Sequence, residues 1–192
     1  MVVQELLSNA DALVLGCGVE RTPPAHDALR TIIRKCKAPI VADAEALHAI
    51  ADKPSVIHGK QILLTPNAGE FQVLSKNPWP TDSEERNKAV KNLARRYKAT
   101  IIVKGADDYI SDGDRVIVDR EGSPFLTKGG YGDLLAGVAG AMLARGRSPF
   151  EAAKVAAYLV GRAGRVVSKR LGESTLASDV LRQLSSLLPR RS

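Results

Sequence analysis

The residues Thr127-Lys128-Gly129-Gly130-Tyr131-Gly132-Asp133 stand directly before the apolar run Leu134-Leu135-Ala136-Gly137-Val138-Ala139. Glycines let a backbone turn tightly and bring its N–H groups close to an anion. The run that follows reads as a helix, so Gly129, Gly130 and Gly132 sit at a helix N-terminus, where the dipole also favours negative charge. Asp133 ends the turn with a carboxylate. A phosphate cradle beside an acid points to phosphoryl chemistry, with Asp133 taking a proton; the bland alternative is a flexible loop. Lys104-Gly105 closes a β-branched run, where a lysine is either a point charge for a phosphate or a solvated strand-end residue. In Thr65-Pro66-Asn67-Ala68-Gly69-Glu70-Phe71, Asn67 offers donor and acceptor and Glu70 a carboxylate, or the pair simply caps a helix. Asp43 likewise reads as a site acid or as the N-cap of a helix beginning at Ala44.

These groups need strands and helices to hold them. Ala12–Gly16, Pro39–Asp43, Gln61–Thr65 and Thr100–Gly105 are short, apolar and continuous, as buried parallel strands are. Helical stretches lie between them: about 23–37 after Pro23-Pro24, 44–50, 69–75 and 81–97. Residues 1–10 read as a further short helix. Asp112-Gly113-Asp114, between Tyr109-Ile110-Ser111 and Arg115-Val116-Ile117-Val118, predicts a β-hairpin. Helices follow at about 131–145, 149–169 and 176–187, the middle one opened by Ser148-Pro149-Phe150-Glu151. Alternating strands and helices predict an α/β domain with a mainly parallel sheet, whose ligands bind at the carboxyl ends of the strands. Gly16 and Gly18, Asp43, Asn67 to Glu70, Lys104-Gly105 and the glycine turn all fall at those ends. Gly16-Cys17-Gly18 is not a dinucleotide fingerprint, and no Gly-Lys-Ser/Thr motif occurs.

The 192 residues, 44% of them apolar, suffice for one domain with a substantial core. No run approaches the roughly 18 apolar residues of a membrane span, and the N-terminus lacks the pattern of a signal peptide. Cys17 and Cys36 make no disulfide framework, and with His26, His48 and His58 scattered no zinc site is expected; a reducing cytoplasm is the default. The net charge is +7, but basic residues are dispersed and only 4% of residues are aromatic, which argues against nucleic acid. Arg95-Arg96 reads as a helix surface and Arg190-Arg191 as a tail. A polyanionic small molecule such as a nucleotide accounts for the charge more economically.

The ordered series Ala42-Asp43-Ala44-Glu45-Ala46-Leu47, Thr65 to Phe71, Val103-Lys104-Gly105-Ala106 and Gly129 to Gly137 resembles the ADP/ATP-dependent NAD(P)H-hydrate dehydratases of the ribokinase superfamily. Ser148 to Ala153, Gly161-Arg162-Ala163-Gly164 and Leu176 to Leu181 extend the resemblance over nearly the whole chain. It implies a ribokinase-like three-layer α/β sandwich, with a mainly parallel sheet and a β-hairpin, forming one partial domain over residues 1–192. It also implies phosphoryl transfer from ADP, or ATP, to the ring hydroxyl of an NAD(P)H hydrate, followed by loss of phosphate. By the same resemblance Asp133 is the base, and Gly129, Gly130 and Gly132 hold the phosphoryl group. Lys104, Gly105, Ala106, Asp107 and Asp108 line the nucleotide. Gly18, Asn67, Ala68, Gly69 and Glu70 join Asp133 on the hydrated dinucleotide. Mg²⁺ comes with the nucleotide and has few protein ligands. A homo-oligomer and an NAD(P)H-hydrate epimerase as functional partner are further implications.

The chain departs from that family in having Gly16-Cys17-Gly18-Val19-Glu20 where Gly-Pro-Gly-Leu-Gly is usual, and in placing Lys128 and Tyr131 around the glycines. Lys128 would help neutralise phosphate and Tyr131 would narrow the site. The strand and glycine-rich loop that normally begin the domain, roughly its first third, are not found in this sequence, so an N-terminally truncated sheet is expected, whether from a fragment, a misassigned start or a short form. Two other functions remain in play: a superfamily kinase for a hydroxymethylpyrimidine or thiazole alcohol, and a nucleotide-binding subunit without activity.

Overall fold

The computed structural model describes residues 2–188; the Arg190-Arg191 tail lies outside the described residues. Six strands form one sheet in sequential order: β1 (Leu13–Leu15), β2 (Ile40–Ala42), β3 (Ile62–Leu64), β4 (Thr100–Val103), β5 (Asp108–Ser111) and β6 (Val116–Asp119). The first four run parallel, with Leu13 opposite Ile40, Ile40 opposite Ile62 and Leu63 opposite Thr100. The expected hairpin supplies β5 and β6, antiparallel to β4 and to each other.

Helices cover both faces. The first layer holds α1 (Val2–Ser8), α2 (Pro23–Lys35), α3 (Glu45–Asp52), α4 (Ala68–Ser75) and α5 (Ser83–Tyr97); the second holds α6 (Tyr131–Ala144), α7 (Pro149–Leu171) and α8 (Ala177–Leu187). Strand side chains alternate between the layers. Ile40, Ala42, Ile62, Leu64 and Ile101 meet the first, while Val41, Leu63, Ile102 and Ile110 meet the second. Burial on both faces is why the central strands carry no polar alternation. Each valine, leucine or isoleucine among them contributes about 1.5–3 kcal/mol by leaving water.

Local chemistry sets the helix ends. Thr22 caps α2 and Asp82 caps α5. Ser148 and Glu151 form a reciprocal capping box at α7, as do Asn67 and Glu70 at α4. The helix expected from Ala44 begins at Glu45 instead, and Asp43 does not cap it: Ala44 is the N-cap and makes no side-chain bond. Among the described residues three short 3₁₀ turns were not anticipated. One of them, Pro124–Leu126, carries the chain from β6 to the glycine turn.

That connecting loop is seated on α7. A Cβ on Gly161 would stand 3.0 Å from Glu121, and one on Gly164 only 2.4 Å from a Leu126 methyl. Arg165 fastens the loop further by donating to the Glu121 carbonyl at 3.1 Å and to that of Arg120.

Candidate functional site

The parallel strands all end at one edge, and the loops leaving them meet there. After β1, Gly16 has φ +109°, and a Cβ on it would lie 1.9 Å from the Asp43 carbonyl oxygen. Only glycine permits that approach. After β3 and β4, the Lys104 N–H donates to the Pro66 carbonyl at 2.8 Å, and Asn67 and Lys104 form a parallel bridge that prolongs the sheet by one step.

Beneath this edge lies a cluster of side chains. Asp43 is 2% exposed. Its Oδ1 accepts from Thr65 Oγ1 at 2.8 Å and from Lys104 Nζ at 2.6 Å. Cys17 Sγ lies 3.9 Å from Asp43 Oδ2. One donor atom each from Cys17, Asp43 and Asp133 gather within 4.8 Å of one another. Burial, the hydrogen bond toward Asp133 and the charges of Asp43 and Asp133 push the Cys17 thiol up to about 12, against Lys104. The thiol therefore stays protonated, a poor ligand for a hard cation. Asp43 is already engaged by Thr65 and Lys104. The exposed carboxylate of Asp133 is the remaining hard ligand, and it faces the Cys17 thiol, so the cluster is not a protein cage for a metal ion.

The glycine turn roofs the cluster. Gly130, at φ +89°, is the N-cap of α6, and the first helical bond runs from the Leu134 N–H to its carbonyl at 3.0 Å. The N–H groups of the first turn before Leu134 thus have no partner within the helix and face an open site. A Cβ on Gly132 would lie 3.1 Å from Lys104 Nζ and 3.3 Å from Asp43 Oδ2, so the turn rests directly on the ion pair.

A cavity of about 370 Å³ opens beside the turn. Asn67, Lys104, Gly105, Asp108, Gly129, Gly130, Gly132 and Asp133 line it, with Gly122, Leu126 and Gly161 from the loop seated on α7. Asp108 accepts from the Gly105 N–H at 3.0 Å. Burial pushes its carboxyl up to about 7, aided by Asp119 and Asp107 and opposed by that N–H and by Lys104.

The residues singled out from sequence thus divide. Ten line the cavity together: Asn67, Lys104, Gly105, Asp108, Gly129, Gly130, Gly132 and Asp133, with Lys128 and Tyr131. Ala106, Asp107, Ala68, Gly69, Glu70 and Gly18 do not line it. Glu70 is held by the capping box, its Oε2 accepting the Asn67 N–H at 2.8 Å. Lys128 also lines the cavity, with its Nζ donating to the Glu173 carbonyl. Tyr131 is 6% exposed, belongs to the second-layer core with Leu135, Val160 and Val180, and contributes to the cavity wall. Sequence reasoning passed over Thr65 as a partner of Asp43, the Cys17 thiol, and the 122–126 loop. Only Asp43 left a signal, an acid closing an all-apolar strand.

A model of the carbohydrate-kinase family described as NAD(P)H-hydrate dehydratase matches residues 1–186. A curated ADP-dependent (S)-NAD(P)H-hydrate dehydratase of Cenarchaeum symbiosum is 43% identical over 132 residues, covering 69% of this chain and 46% of the relative. A bifunctional NAD(P)H-hydrate repair enzyme of Methanothermobacter thermautotrophicus is 34% identical over 97% of this chain and 37% of its own. The chain therefore spans less than half of either relative. The crystal structure of the ADP/ATP-dependent NAD(P)H-hydrate dehydratase from Bacillus subtilis, co-crystallised with ATP and Mg²⁺, superimposes with a TM-score of 0.82 at 25% identity, covering 96% of this chain and 68% of that one. A hydroxyethylthiazole kinase of Pyrococcus horikoshii shares the fold, with a TM-score of 0.80 at 24% identity over 96% of this chain and 74% of that one.

Proposed function

Because the chain belongs to the NAD(P)H-hydrate dehydratase family of ribokinase-like proteins, we propose that it performs ADP-dependent dehydration of NAD(P)H hydrate. The observation that carries this reading is the meeting of Asp133, the start of α6 and Lys104 around one cavity. The hydrate carries a hydroxyl on its reduced nicotinamide ring. Asp133, exposed at the cavity wall, accepts the hydroxyl proton as the oxygen attacks the terminal phosphorus of ADP, which departs as AMP. The transferring group carries its charge on peripheral oxygens, and the free N–H groups of the α6 first turn stabilise it there. Loss of phosphate from the ring carbon and of a proton from its neighbour restores the double bond.

Lys104, Gly105, Ala106, Asp107 and Asp108 form the nucleotide side; Gly18, Asn67, Ala68, Gly69 and Glu70 form the dinucleotide side. The residues fit Mg²⁺ borne by the nucleotide: the cluster of Cys17, Asp43 and Asp133 offers the ion no cage, and phosphate oxygens would hold it. Bound so, the ion would add charge neutralisation at the transferring group. ATP as donor, an epimerase as functional partner, a homo-oligomer and a cytoplasmic location belong to the same proposal. Among the described residues no helix is long and apolar enough to cross a membrane.

Product analysis tests the reading against its nearest rival, since the fold is shared with a thiazole kinase. Free phosphate released together with reduced nicotinamide is expected. A stable phosphorylated alcohol, with no nicotinamide recovered, assigns the site to a kinase instead.

A further inference from the structure

The chemistry above leaves the most buried acid of the site without a task. We propose that Asp43 is a positioning residue of the phosphoryl-transfer site, which holds the Lys104 ammonium in place beneath the Gly130–Asp133 turn. This rests on the reading of the cavity as a phosphoryl-transfer site.

A buried carboxylate is tolerated only when it is paired and hydrogen-bonded. Asp43 meets that condition with partners from other strand ends. Thr65, itself 0% exposed and tied by its N–H to the Ala42 carbonyl at 3.1 Å, fixes Oδ1 from β3. Lys104 reaches the same oxygen from β4, passing over the intervening β3. Cys17 closes the side toward β1, and its raised thiol offers no competing negative charge.

Three further features place the pair in the working site rather than in the general core. Lys104 lines the cavity, where an unattached lysine stem would sample many rotamers. Gly132 is needed for contact, because any side chain there would press on both Lys104 Nζ and Asp43 Oδ2. Ala44, at φ +47° and ψ −119°, stands in a backbone region costly for a residue with a Cβ. Its Asp43 neighbour spends its backbone carbonyl on the Ala46 N–H at 3.1 Å and turns its side chain inward instead of capping α3. Asp43 thus trades part of the lysine's attraction for a fixed location. A charge held a fraction of an ångström from its productive position is worth more to a transfer step than a mobile one.

The test has two independent arms on the full chain. In the first, ¹⁵N-lysine NMR with Mg²⁺-ADP present looks for a slowly exchanging ammonium signal, assigned by its loss in Lys104→Met. The expectation is that Asp43→Asn abolishes the signal while the melting transition stays cooperative. Absence of the signal from the wild type, or its survival in Asp43→Asn, overturns the proposal. This arm needs no turnover, so a failed dehydratase assay leaves it intact.

In the second arm, kcat and KM are measured for Asp43→Asn, Lys104→Met and the double variant. Asp43→Asn is expected to lower kcat by about ten- to a hundredfold with little change in KM for ADP, and to add nothing in the Lys104→Met background. Equal fractional losses in both backgrounds mean that Asp43 acts elsewhere. If Asp43→Asn does not fold, Thr65→Val keeps both charges and removes one donor. Its kcat should fall in the same direction and recover in Thr65→Ser; a Thr65→Val variant with wild-type kcat and an intact ammonium signal counts against the proposal.

Discussion

Gly16 and Gly18 offer a paired perturbation, because both have positive φ (+109° and +70°) and their surroundings differ sharply. Alanine at Gly18 meets nothing within 4 Å. Its cost is the left-handed backbone alone, about 1–2 kcal/mol. Alanine at Gly16 incurs similar strain and also brings its Cβ to 1.9 Å from the Asp43 carbonyl oxygen and 2.7 Å from Ala46 Cβ. Relief to ordinary contact at 3.4 Å shifts one backbone by about 1.5 Å. That shift strains two hydrogen bonds, Asp43 N–H to the Leu15 carbonyl and Ala46 N–H to the Asp43 carbonyl, both 3.1 Å. At about 1 kcal/mol each, Gly16→Ala is expected to lose roughly 3–4 kcal/mol in all. Urea denaturation at neutral pH measures both variants, and calorimetry with ADP reports whether the folded fraction keeps its site. Equal losses for the two alanines would refute the argument that β1 is seated on β2 by a direct backbone contact.

Asp108 gives a pH dependence with a definite sign. Its carboxyl is raised from 3.8 to about 7, so the folded protein holds a proton that the unfolded chain releases between those values. Its stabilising contribution is fully present below pH 3.8 and is lost as pH rises through 7, up to about 4 kcal/mol. The stability of the wild type relative to Asp108→Asn, from urea melts, should therefore decline across that window; a flat difference refutes the assignment. Gly132→Ala should cost activity about tenfold or more by displacing the Lys104–Asp43 pair, whereas Gly129→Ala, with nothing within 4 Å, should cost little. Steady-state kinetics separates the two. Gly164→Ala should lift Leu126 and weaken ADP binding severalfold, and Leu126→Ala in the same chain should restore part of the loss; calorimetry without that rescue would contradict the seating of the loop on α7.

Much of the fold is legible because its signals are local. Apolar runs such as Ile62–Leu64 are short and bounded by turn residues, and Asp112-Gly113-Asp114 can scarcely be other than a hairpin. Caps at Ser148 and Asp82 depend on neighbours within a few positions. The candidate site was readable to the extent that strand ends converge by topology. What escaped depends on distance in sequence. The Asp43–Lys104 pair joins residues 61 positions apart, and no pattern near Asp43 distinguishes it from a helix cap. Lys128 reads as a phosphate ligand, and it does line the cavity, but its bond to the Glu173 carbonyl in the turn after α7 is invisible in the local sequence. Tyr131 reads as narrowing the site, and it lines the cavity while also joining the second-layer core, a double placement that no local pattern announces. The reading of Asn67 and Glu70 as a helix cap was open from sequence, and their reciprocal bonds complete it without excluding contact with a dinucleotide.

The account turns on Asp133 as the base of a nicotinamide-repair reaction. The direct measurement incubates the folded chain with NADH or NADPH hydrate, ADP and Mg²⁺, following the absorbance of reduced nicotinamide and the release of phosphate. Wild-type protein should restore both signals in step, and Asp133→Asn should bind ADP yet turn over about 10²–10⁴-fold more slowly. An ADP-binding wild type that restores no nicotinamide, or an Asp133→Asn variant with undiminished turnover, would contradict it.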